Sequence, residues 1–78
     1  MGQETLHSEL LTILESRNLT ALFQPIIDLH RASIFGHEAL ISGPVETALH
    51  FPLDLFEASH LVGLTPEMEY LSREIVLQ

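Results

Sequence analysis

Two apolar runs, Ala21 to Leu29 and Ser33 to Ile41, follow each other so closely that they constrain the fold more than any other feature of the sequence. The first, Ala-Leu-Phe-Gln-Pro-Ile-Ile-Asp-Leu, is rich in aromatic and β-branched residues, and Pro25 makes an interior helical position costly. It reads as a strand with Pro25 at a bulge or an unpaired position. Polar Asp28 to Ser33 reads as a turn, and so short a link predicts an antiparallel hairpin, because a parallel crossover needs about a dozen residues or more. In the second strand Ile34, Gly36, Glu38 and Leu40 alternate with Phe35, His37, Ala39 and Ile41. Both sets are mostly apolar, which predicts that the strand is covered on both sides.

Helices are expected around this hairpin. Leu6, Leu10, Ile13 and Leu14 fall at i, i+4, i+7 and i+8, so residues 4–17 read as an amphipathic helix with Asn18 as its C-terminal cap. Ser42 to Phe51, with Gly43 and Pro44, reads as a loop. Pro52 suits a first helical position, Asp54 lies near the positive helix end, and Gly63 can stop that helix. Thr65-Pro66 repeats the start signal before Met68, Leu71 and Ile75, with Glu69 and Arg73 spaced to pair. The predicted order is helix, strand, strand, helix, helix, an α/β arrangement in one unit spanning residues 1–78. The last helix carries no stop signal through Glu74-Ile75-Val76-Leu77-Gln78, so the chain reads as cut rather than finished.

Charge and composition exclude several classes. Eleven acids against three arginines and no lysine give a net charge of −8, which argues against binding a nucleic-acid polymer. Without cysteine there is no disulfide framework, Cys-type zinc site or thiol nucleophile, and a reducing, cytoplasmic location is expected. The amino terminus has no basic segment before an apolar stretch, and no apolar run approaches the roughly 18 residues of a membrane span. His37-Glu38 begins like a HExxH zinc motif, but Ile41 stands where the second histidine belongs. His7, His30, His50 and His60 are irregularly spaced, and surface or packing roles are expected for them.

Two polar residues stand out within the hairpin. Glu38, amid Phe35, Gly36, Ala39, Leu40 and Ile41, would lose hydration unless it is paired, bound to a cation or open to water at a strand end. Gln24, beside Pro25, is a second polar group in apolar company.

The stretch Phe23-Gln24-Pro25-Ile26-Ile27-Asp28, followed by Gly36-His37-Glu38-Ala39-Leu40-Ile41, resembles the opening of an EAL domain, the bacterial family that hydrolyses cyclic di-GMP. The similarity continues through Gly43-Pro44, Pro52, Leu55-Phe56-Glu57-Ala58, Gly63-Leu64 and Arg73-Glu74-Ile75-Val76-Leu77, covering residues 10–78. The resemblance implies a modified (β/α)8 TIM barrel of about 250 residues, of which this chain would form the opening third. It also implies that Glu38 is a ligand of a catalytic Mg²⁺ or Mn²⁺ and that Gln24 contacts the dinucleotide. Ser42 departs from the pattern, because the family usually carries there an arginine that meets a ligand phosphate. The family's other metal ligands and its catalytic lysine come from strands beyond residue 78.

Metal-assisted phosphodiester hydrolysis needs several ligands to hold a cation that activates water and neutralises developing charge. The chain alone is therefore expected to be inactive, a fragment of a cyclic di-GMP phosphodiesterase. A second expectation is a non-enzymatic, degenerate EAL module acting through self-association or protein contacts. In either case the open strand edges predict a homo-oligomer.

Overall fold

The computed structural model describes residues 2–78 as helix α1 (Gln3–Ser16), strands β1 (Thr20–Asp28) and β2 (Ser33–Ser42), and helices α2 (Pro52–Leu61) and α3 (Thr65–Leu77). This is the predicted order, and the two strands form an antiparallel hairpin. Leu10 and Ile13 of α1 are buried, with Leu6 and Leu14 packed against the same core, as their spacing dictates. Leu55 and Ala58 of α2, Met68 and Leu71 of α3, and Leu19, Ile41, Leu49 and Leu64 from the strand bases and connections complete that core.

The core thus gathers three helices around the base of the hairpin, and most of the hairpin extends away from it. The molecule measures 50 × 23 × 21 Å, with a radius of gyration of 14.6 Å. A compact domain of this length would have a radius of about 11.5 Å. The expected cover on both faces of β2 is absent: only Ile41 is buried there, while Leu22, Phe23, Ile26, Ile27, Leu29, Ile34 and Phe35 all lie exposed. The physical reason is placement, because the buried apolar residues of the three helices pack against one another and the hairpin base, while Leu53 and Leu61 of α2 and Leu77 of α3 stay exposed.

The turn at residues 29–32 is set by Asp28, whose Oδ1 accepts hydrogen bonds from the backbone N–H of His30 (2.9 Å) and Arg31 (3.2 Å). Pro25 lies in register opposite His37, and is tolerated because both strands of a two-stranded ribbon are edges. The irregularity falls nearby: Ile26 pairs with Gly36 but Ile27 pairs with Ile34, leaving Phe35 as an extra, unpaired residue in a β-bulge. Ile34 consequently joins the face of Ile27, Phe23 and Ala21, and not that of Gly36 and Glu38 as strict alternation predicts.

Helix ends show which local signals operate. Gly63, at φ 76°, closes α2 in a Schellman arrangement, with Leu64 N–H donating to Ser59 C=O (2.8 Å) and Gly63 N–H to His60 C=O (3.3 Å). At the end of α1 the left-handed position is Arg17, at φ 56°, and not Asn18. The Arg17 guanidinium donates to Glu74 Oε1 at 3.1 Å, joining the end of α1 to the last turns of α3. Arg17–Glu74 and Arg31–Asp28 are the ion pairs among the described residues, and Glu69 and Arg73 do not form one.

Thr65 does not cap α3. Leu64 occupies the cap position, and the Thr65 hydroxyl is buried without a hydrogen-bond partner. A buried unsatisfied hydroxyl is destabilising, so Thr65→Val, which keeps the shape, is expected to raise stability by up to about 1 kcal/mol. Urea denaturation checks this, and a loss of stability would mean that the hydroxyl is satisfied in solution.

Candidate functional site

The hairpin brings the two singled-out polar residues together. Gln24 on β1 and Glu38 on β2 are direct cross-strand partners, so their side chains leave the same face of the ribbon. Leu22 opposite Leu40 flanks them on the base side, and Ile26 opposite Gly36 on the turn side. Nothing lies within 4 Å of where a Cβ on Gly36 would stand, so the surface beside the pair is open.

The bulge creates this juxtaposition. Counting back from the pairs at the turn, Asp28 with Ser33 and Ile27 with Ile34, an unbroken ladder would set Gln24 opposite His37 and put Glu38 on the other face. The extra residue at Phe35 shifts the remaining pairs by one. Alternation in the sequence could not reveal this, since a run such as Ile34-Phe35-Gly36 carries no mark of which residue drops out of the ladder.

Both residues are exposed. Of the positions left open for it, Glu38 therefore takes the one in water, where no dehydration cost arises. An exposed carboxylate beside a carboxamide offers oxygen ligands to a hard cation, and the amide adds N–H donors for a polar ligand. Mg²⁺ demands near-octahedral oxygen coordination, usually with one or two carboxylates completed by water and substrate phosphate. One carboxylate and one carboxamide fall short of such a sphere by themselves. No group of three or more His, Asp or Glu residues is placed to hold a metal among the described residues.

Ser42 lies on the same face as Glu38, four residues along β2 and opposite Thr20, where the strand enters the core. Ser42 thus lies in line with the Gln24–Glu38 pair. His37 falls on the opposite face, across from Pro25. His50 is occupied structurally: its Nδ1 lies 3.1 Å from the Gly43 carbonyl oxygen, and its ring meets Phe51 edge-on at 5.1 Å.

A cleft of about 450 Å³ lies elsewhere, between α1 and the 43–49 loop, lined by Glu9, Thr12, Asn18, Pro44 and Leu49 among others. The Thr12 and Ser16 hydroxyls facing it donate to carbonyl oxygens one turn back in α1. That use leaves the cleft little directed polarity, and neither Gln24 nor Glu38 borders it. No family model matches the chain, and neither a curated protein nor a solved structure does so. No helix is long and apolar enough to cross a membrane among the described residues.

Proposed function

We propose that this chain is the opening unit of an EAL-type cyclic di-GMP phosphodiesterase domain, and that its part in the complete domain is to present Glu38 to a divalent cation and Gln24 to the dinucleotide. The observation that carries the reading is the cross-strand pairing of Gln24 with Glu38, which sets the two residues given roles by the resemblance side by side on one face. Support comes also from the antiparallel hairpin, since the resemblance implies a barrel whose first strand runs antiparallel to its neighbour. Mg²⁺ or Mn²⁺ held by Glu38 and by ligands from further strands would activate water and offset charge on the scissile phosphate. Alone, the 78-residue chain lacks the ligands for that chemistry.

The test is a chimera in which residues 10–78 replace the opening segment of an active EAL phosphodiesterase. Metal-dependent hydrolysis of cyclic di-GMP is expected, reduced at least about 100-fold by Glu38→Gln. Ser42→Arg should tighten dinucleotide binding about tenfold by supplying a charge-assisted contact to phosphate. A folded chimera whose metal binding and hydrolysis ignore Glu38→Gln would overturn the assignment. A second reading, a non-enzymatic module working through contacts with other chains, is favoured by the exposed apolar hairpin.

A further inference from the structure

The hairpin is the least finished part of the molecule, and its two faces differ. One carries the Gln24–Glu38 pair. The other carries Phe23, Pro25, Ile27, Ile34 and Ala39, has His37 as its one ionisable group, and runs directly into the core at Ala21 and Ile41. That second face is a continuation of the hydrophobic core into solvent.

The surface that the whole chain exposes beyond a compact fold is comparable to one side of a dimer interface. The chain exposes 5605 Å² of surface. A compact monomer of 8.8 kDa would expose about 4,800 Å². The excess, on the order of 800 Å², matches what each partner buries in a standard-sized interface. Charge restricts what can meet there. Residues 20–42 hold one arginine against two acids, a net −1, so the remaining −7 of the chain's −8 sits on the helical end. Two copies can approach hairpin to hairpin with little repulsion, but not helical end to helical end.

We propose that a second copy of this chain covers the apolar hairpin face, the two ribbons stacking about a two-fold axis with the acidic helical ends at opposite extremes. Faces of stacked sheets lie about 10 Å apart and bury alternate side chains. Phe23, Ile27 and Ile34 of each copy then interdigitate, and the Gln24–Glu38 pairs remain in water on the two outer surfaces. The arrangement does not rest on the cyclic di-GMP reading, since it uses the opposite face of the hairpin and needs neither nucleotide nor metal.

Sedimentation equilibrium on the 78-residue chain tests it, with circular dichroism verifying helix content in each variant. A dimer in the micromolar range is expected. Association should change little as salt rises from about 0.05 M to about 0.5 M, because in a 50 Å chain stacked hairpin to hairpin the acidic ends lie further apart than a Debye length. Ile34→Glu should weaken it about 100-fold or more, as the two-fold axis brings both new charges into the interface. Leu22→Glu is the control, with Leu22 59% exposed against 58% for Ile34 but on the opposite face. It should leave the dimer within about threefold of the parent. A chain monomeric at millimolar concentration overturns the proposal. So does equal sensitivity to the two substitutions, which would indicate pairing along strand edges in place of stacking.

Discussion

Gly43→Ala is expected to lower stability by about 3 kcal/mol, near the upper limit for overpacking in a filled interior. A Cβ at this position would collide with the carbonyl oxygen of Leu49 and approach its carbonyl carbon to 3.0 Å, with Leu55 Cδ1 at 3.5 Å beyond. The first obstacle is backbone, so no rotamer change relieves it. The two chain segments are held at this separation from both ends. Gly43 N–H donates to the His50 carbonyl at 2.9 Å, and the His50 ring bonds back to the Gly43 carbonyl, closing the loop over buried Leu49. Separating them would break the clamp and lift Leu49 from the core. In a chain of this size each kcal/mol shifts Tm by about 4–8 °C, so thermal unfolding should show a fall of roughly 12–24 °C. A fall below about 3 °C would mean that the loop yields freely and that glycine is not required for space.

Truncating Leu10 and Phe35 should give opposite results despite their similar hydrophobicity. Leu10 is completely buried among all three helices' core residues, and Leu10→Ala should cost about 3–4 kcal/mol through lost transfer energy and a residual cavity. Against a total of about 5–15 kcal/mol typical of natural domains, that loss leaves a small chain near its unfolding threshold. Phe35 is 78% exposed at the bulge, and Phe35→Ala should change monomer stability by less than about 0.5 kcal/mol. Urea titrations at low protein concentration separate the two. Equal losses would show that the hairpin belongs to the cooperative core.

The same contrast explains what could be read in advance. Helical spacing located Leu10 and Ile13, the short link located the hairpin, and Gly63 located the end of α2, because each depends on residues adjacent in the sequence. Burial of β2 could not be judged that way. An apolar strand looks the same whether its cover comes from the same chain, another copy or nothing, so the sequence left Glu38 open between a paired, a cation-bound and a water-facing position, and the structure has the water-facing one. The cap at Arg17 was hidden for a related reason: intrinsic preference favoured Asn18, and the contact that Arg17 makes is with Glu74, far along the chain. The candidate pair was legible as two isolated polar residues, while their adjacency depended on a bulge that composition does not announce.

That bulge also governs how the ribbon can slip. At the helical end the pairing is pinned by Ile41, which cannot leave the core without opening a hole. At the far end it is pinned by Asp28, whose carboxylate ties down the backbone of His30 and Arg31. The two anchors demand registers of opposite parity, odd at one end and even at the other, and Phe35 absorbs the mismatch. Sliding one strand by a single residue would have to break an anchor, since neither end can follow the other. A free two-stranded ribbon explores neighbouring alignments easily, whereas this one is locked like a vernier with only one coincident mark. Glu38 therefore keeps Gln24 as its neighbour even though both side chains are exposed.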